Sequence, residues 1–271
     1  MESSMSHHHP PPPDPSPYTL PPTKLAGEDI LLCVDVGPES ASEMKVAASG
    51  GGGGGGGGVP YPRLEGIKQA ILLFVNAKLS INPDHRFAYA ALANTAGWIK
   101  KEFSSDVDAA LAMARTLRID PTSDRADVTQ LFKSAAIEAK KSRSQGRILR
   151  VILFYCRSAM PPEFERLPKL QKLFTLDVIY LHDKPVPDKN CPQKVYDTLV
   201  DALEYFSEYE GYIYESGQGL TRILFRYMCV LLSHAQQRCT QDDNDIPKSL
   251  TSKKLQSTDI VLVEEAVPMS S

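Results

Sequence analysis

The chain has 271 residues, 42% of them hydrophobic and 23% charged, with a formal net charge of −3. That balance excludes a global field drawing it to nucleic acid or to a membrane, and its apolar runs are far shorter than the roughly 20 residues that span a bilayer. The five cysteines, Cys33, Cys156, Cys191, Cys229 and Cys239, form no CxxC pair and are odd in number. This predicts reduced thiols in a cytosolic or nuclear protein and no disulfide framework.

Residues 1–27 are rich in proline and serine and carry His7, His8 and His9 before a proline run. They predict a disordered tail, without the apolar core of a secretory signal. A first strand is predicted over 29–36 (DILLCVDV), apolar nearly throughout, as a strand covered on both faces should be. A flexible loop over 47–60 follows, holding the nine glycines Gly50 to Gly58. It lacks the strand-turn-helix context and the Lys-Ser/Thr of a phosphate-binding loop. Leu64, Ile67, Ile71, Phe74 and Val75 recur at helical spacing. A strand pair is predicted at 86–92 and 97–103, turning near Asn94. Ser104 or Ser105 is the expected N-cap of a second helix whose apolar face is Val107, Ala110, Leu111, Ala114 and Leu117. A loop over 120–127 leads to a helix with Leu131, Ala135 and Ala139. Further strands are predicted at 148–155 (ILRVILFY), 173–181 and 212–214, alternating with helices at 193–206 and 219–234. The last helix is apolar on two sides, which predicts deep packing or a partner. Residues 239–271 form a polar tail interrupted by Ile260, Val261, Leu262 and Val263, a candidate partner-docking peptide.

The order β-α-β-β-α-α-β-β-α-β-α predicts an α/β domain over 28–238. Its sheet is doubly wound and mostly parallel, with one antiparallel edge strand and helices on both faces. This order resembles the von Willebrand factor A domain. The resemblance implies a metal site where the first strand ends, in the pattern Asp-x-Ser-x-Ser, completed by a threonine from a later loop and an aspartate after another strand. Here the motif reads Asp35-Val36-Gly37-Pro38-Glu39. Asp35 is kept, Gly37 has no side chain, and Glu39 replaces a hydroxyl. Arg125 aligns near the threonine slot, with Thr122, Asp124 or Thr129 within alignment error, and Cys156-Arg157 stands where the second aspartate belongs. Mg²⁺ takes about six hard oxygen ligands, so this degenerate set predicts no metal and no other cofactor. Asp35 is expected to sit in an arginine cage built by Arg157 and Arg125.

The strings DILLCVDV, HRFAYAALANTAGWIKKEF, RVILFYCRS and LDVIYLHD narrow the likeness. They resemble the family of von Willebrand factor A-like scaffold subunits of the BRISC and BRCA-A deubiquitinase assemblies. The resemblance implies a non-catalytic subunit with no small-molecule substrate, in nucleus and cytoplasm. It would steady a complex that cuts lysine-63-linked ubiquitin chains in the DNA damage response and related signalling, acting through a BRE-type subunit and other members of the complex. Poly-Gly in the first loop departs from that family.

Two other readings stay open. One is a metal-dependent A domain binding an acidic ligand. The other is a hydrolase built from Cys156, His182 and Asp183 at the carboxyl ends of strands, although Pro161-Pro162 follows the cysteine where a helix should begin. Trp98 is expected to pack against a helix rather than anchor a partner. Lys140-Lys141-Ser142-Arg143 suits a helix C-terminus without nucleic acid.

Overall fold

A computed structural model of the chain describes residues 25–45, 61–219 and 221–244. The nine-glycine run and the Ile260 to Val263 cluster lie outside these residues. The strands and helices run β1 (Gly27–Asp35), β2 (Glu43–Met44), β3 (Tyr61–Pro62), α1 (Arg63–Ile81), β4 (Arg86–Leu92), β5 (Ala96–Ser104), α2 (Val107–Thr116), α3 (Thr129–Ser144), β6 (Arg147–Tyr155), β7 (Thr175–Leu181), α4 (Pro192–Phe206), β8 (Ile213–Ser216) and α5 (Thr221–Val230). Six strands form one sheet in the order β5-β4-β1-β6-β7-β8. All neighbours pair parallel except β4 and β5. β2 and β3 make a separate two-stranded antiparallel ribbon. The chain divides between Arg238 and Cys239 into two units, the first of which holds the sheet.

Burial explains the long apolar strands. In β1, Leu31 and Cys33 join the core under α3 and α4, while Ile30, Leu32 and Val34 face the other way and are equally buried. Successive strand side chains point to opposite faces, so a sheet covered on both sides needs apolar residues at every position. On the α3/α4 face the rings of Phe132, Phe174 and Phe206 pack together, Phe132 and Phe206 at 4.4 Å between centroids. On the other face α1 packs against α2 and α5, and Phe74 meets Phe87 of β4 edge-on at 6.4 Å. Each such side chain contributes on the order of 1.5–3 kcal/mol by burial.

Several local expectations change. The N-cap of α2 is Asp106, whose side chain accepts from the Asp108 amide at 2.9 Å; Ser104 Oγ in turn accepts from the Asp106 amide at 3.0 Å. A carboxylate at the N-cap also meets the positive end of the helix dipole. The buried face of α2 is partly turned: Ala110, Ala114 and Leu117 are buried as expected, but Ala109 and Met113 join them while Val107 and Leu111 are exposed. The predicted last helix stops at Val230, and the chain then turns into a short 3-10 helix at Ala235–Gln237. It buries Thr221, Leu224 and Met228, so its contact with the core is narrower than its composition suggested. Gly146, at φ 68, turns the chain from α3 into β6, a conformation that glycine takes without strain.

Candidate functional site

In an open α/β sheet a crevice forms at the carboxyl ends of the strands where the order reverses. Here that point lies between β1 and β6, and it holds Asp35, Cys156 and Arg157, all buried. Asp35 ends β1. Its Oδ1 accepts from the Gly37 amide at 2.8 Å, and its Oδ2 from the Cys156 amide at 3.1 Å. Arg157 donates to the same carboxylate from Nε to both oxygens and from Nη2 to Oδ1, each at 3.1 Å. The other guanidinium hydrogens go to loop acceptors. Nη2 reaches the Ala93 carbonyl at 2.6 Å and Ser123 Oγ at 3.0 Å; Nη1 reaches the Arg125 carbonyl and, at 3.4 Å, Met160 Sδ.

The cage around Asp35 therefore has one arginine, not two. The Arg125 side chain points outward to Glu163 at 3.0 Å, both more than half exposed, and only its backbone carbonyl belongs to the corner. Solvation explains the difference: an exposed guanidinium keeps its water, while Arg157 is bonded all round. Glu39 does not face Asp35 either. Its carboxylate accepts from the Ser158 amide at 2.8 Å and from Ser158 Oγ. Thr122 bonds Asp120 at 2.6 Å, the Asp124 amide bonds Asn94 at 2.9 Å, and Thr129 Oγ1 accepts from the Glu165 amide at 3.2 Å.

This corner does not fit a divalent metal. Position 37 offers no side-chain oxygen, both Glu39 carboxylate oxygens serve Ser158, and a guanidinium lies on Asp35. A Cβ at Gly37 would lie only 3.0–3.1 Å from Arg157 Nε, Cζ and Nη2, so the glycine is what admits the arginine. Among the described residues, no three His, Cys, Asp or Glu side chains converge as a group that could hold a metal ion.

The Cys156, His182 and Asp183 set is likewise dispersed. Burial pushes the Cys156 thiol up to about 12, opposite to the activation a nucleophile needs. His182 Nδ1 meets the Asp183 carbonyl at 2.8 Å, and its ring stacks on Tyr180. The Asp183 carboxylate pairs with Arg63 at 2.9 Å, not with the imidazole. Trp98 is half-buried against the α3/α4 core. In the basic run at the end of α3, Lys141 pairs with Glu138, Arg143 pairs with Glu208, and Ser142 Oγ donates to Asp29 at 2.7 Å.

A second charged cluster, not anticipated from the sequence, lies at the opposite end of the strands. Glu28, Lys78, Arg150, Asp177 and Arg238 have side chains at most 1% exposed. Asp177 receives Arg150 Nε and, at 2.6 and 3.2 Å, the two Nη atoms of Arg238; the Tyr212 amide adds a bond at 2.8 Å. Glu28 receives Lys78 and lies 3.6 Å from Arg150. Burial alone would raise both carboxyls, but Arg150 with Arg238 holds Asp177 below the usual carboxylate range, and Arg150 with Lys78 does the same for Glu28. His85 accepts from the Glu28 amide at 3.1 Å and is pushed down to about 4, by burial first and Lys78 second. The available signal was a lone charge inside an apolar strand, Arg150 in RILRVILFY and Asp177 in TLDVIYL. Its partners, from 27 positions away (Asp177 and Arg150) to 122 (Arg150 and Glu28), could not be read from spacing.

No protein-family model and no curated relative matches the sequence. Solved structures do resemble it in shape. The PilB minor pilin from Streptococcus sanguinis shares 10% identity at a TM-score of 0.51 over 79% of this chain, which spans 62% of that one. The SpRpn10 VWA domain shares 13% at 0.49 over 80% of this chain and 100% of that one. A von Willebrand factor type A protein from Catenulispora acidiphila shares 13% at 0.45 over 76% of this chain and 42% of that one. At these identities the likeness concerns the fold alone. With its six-stranded, mostly parallel sheet, one antiparallel edge strand and flanking helices, the chain has the doubly wound α/β architecture expected of a von Willebrand factor A-like fold.

Proposed function

We propose that this chain is a non-catalytic scaffold subunit of a deubiquitinase complex that cuts lysine-63-linked ubiquitin chains. It would work with a BRE-type subunit, in nucleus and cytoplasm, in DNA damage signalling. The strings DILLCVDV, RVILFYCRS and LDVIYLHD motivate the identity of the assembly. The observation that carries the non-catalytic, metal-free part is the C-terminal corner. Its carboxylate and loop acceptors are taken up by Arg157, and its thiol is buried and held protonated. A domain whose usual ligand corner is closed by its own side chain is suited to constant contacts rather than to ion-gated ones. The apolar segment Ile260 to Val263 remains the candidate docking peptide.

The test is affinity capture of the full tagged chain from its own cells, with mass spectrometry and cleavage assays on lysine-63-linked and lysine-48-linked tetraubiquitin. The expected result is a BRE-type subunit in the captured set and activity selective for the first chain type. Truncation after Leu250 should deplete that subunit while leaving the melting temperature unchanged. Capture without a BRE-type subunit or ubiquitin-cleaving activity overturns the assembly. Equal retention by the truncated chain overturns the docking role of the tail.

A further inference from the structure

The oxygens bonded by Arg157 form a donor set in their own right. Asp35 Oδ1, the Ala93 and Arg125 carbonyls and Ser123 Oγ come from three separate stretches of chain and converge on one guanidinium. Carboxylate, hydroxyl and backbone carbonyl are the ligands that a hard cation takes. Asp35 is fully buried, so its charge needs a cation beside it. We propose that Arg157 is a built-in cation closing a latent cation site, so that the loops after β1, β4 and α2 are tied together by a charge that cannot dissociate. The guanidinium also reaches Asp35 Oδ2 from Nε at 3.1 Å and Met160 Sδ from Nη1 at 3.4 Å. The planar guanidinium fork serves several acceptors at once. Gly37 is part of the device: a side chain there would meet Arg157 at 3.0–3.1 Å, so serine at 37 and arginine at 157 compete for one space. The inference concerns this corner alone and holds whether or not the chain joins a deubiquitinase.

The experiment is thermal melting of the full chain with MgCl₂, CaCl₂, EDTA or guanidinium chloride at millimolar concentration. The wild-type melting temperature should not move with either metal or with EDTA. Arg157→Ala should lower it by roughly 5–10 °C, a large single-site loss for a domain of this size. Millimolar guanidinium or Ca²⁺ should then restore part of the loss through mass action. A wild-type melt that responds to metal or chelator overturns the proposal. So does an Arg157→Ala protein that melts like the wild type, or one that neither cation restores. If Arg157→Ala does not fold, a cycle with Gly37→Ser and Arg157→Lys decides. Gly37→Ser should cost clearly less in the Arg157→Lys background than in the wild type, because the slimmer side chain leaves room. Additive losses overturn the proposal.

Discussion

At the carboxyl ends of β1 and β6 a single carboxylate, Asp35, meets a single guanidinium, and the other guanidinium hydrogens fall on neutral loop oxygens. At the amino ends of β1, β6 and β7 two carboxylates and three cations are buried together, threaded between strands, α1 and the segment after α5. The first arrangement is compact and well satisfied. The second leaves Glu28 Oε1 and Arg150 Nη2 without a hydrogen-bond partner among the described residues. It also binds the segment after α5 to the sheet: Lys78 and Arg150 donate to the carbonyls of Leu232 and Ser233 at 3.4 and 3.3 Å, and Arg238 stacks over Tyr212 at 4.4 Å. The heavier concentration of buried charge thus sits away from the end where α/β folds place their chemistry. Perturbed ionisation alone is a poor guide to a functional site, because structural ion networks perturb pKa values just as strongly.

The comparison is tested first where the effect is largest. Asp177→Ala leaves Arg150 and Arg238 buried without a partner and should destabilise by about 3–5 kcal/mol in urea titrations. Asp35→Ala strands one arginine and two amides and should cost less, about 2–3 kcal/mol. If Asp35→Ala proved the costlier change, the amino-end network would not be the stronger clamp.

Acid separates the two ends further. The folded pKa of His85, about 4, lies below its unfolded value of about 6.5. Between these limits the unfolded chain takes up a proton that the folded chain refuses, so stability falls as the pH drops from about 6.5 to about 4, by up to about 3 kcal/mol. Glu28 and Asp177, held below their usual range, contribute stability above their unfolded values that is lost only as the pH falls through the folded ones. His85→Gln should flatten the upper part of the profile and spare the carboxylate part. An identical pH slope in that variant would remove His85 from the account. The smallest effect belongs to Arg125→Ala, which removes only an exposed pair with Glu163 and should change stability by less than about 0.5 kcal/mol. A larger loss would restore Arg125 to the cage.

Much of this molecule was readable in the chain. Unbroken apolar runs such as LLCV and VILF predict strands covered on both faces, because period-two alternation leaves no polar face in a two-sided sheet. The tight pair near Asn94 predicts the antiparallel edge, and the loss of a side chain at Gly37 with the arrival of Arg157 predicts an ion pair on Asp35. These are local patterns, or a motif compared position by position. The tertiary structure alone decided which arginine reached Asp35, since Arg125 and Arg157 are equivalent in charge and stand on different loops, after α2 and after β6, and only the Arg157 side chain turns onto the carboxylate. It decided the partial turn of α2, because packing against α1 and β4 selects Ala109 and Met113 over Val107 and Leu111. It also decided the amino-end network, whose members Glu28, Lys78, Arg150, Asp177 and Arg238 meet only after strands distant in sequence pair in register. Charge compensation in a core depends on distances of a few ångströms. Such distances between remote residues are set by strand order and helix packing, not by spacing along the chain.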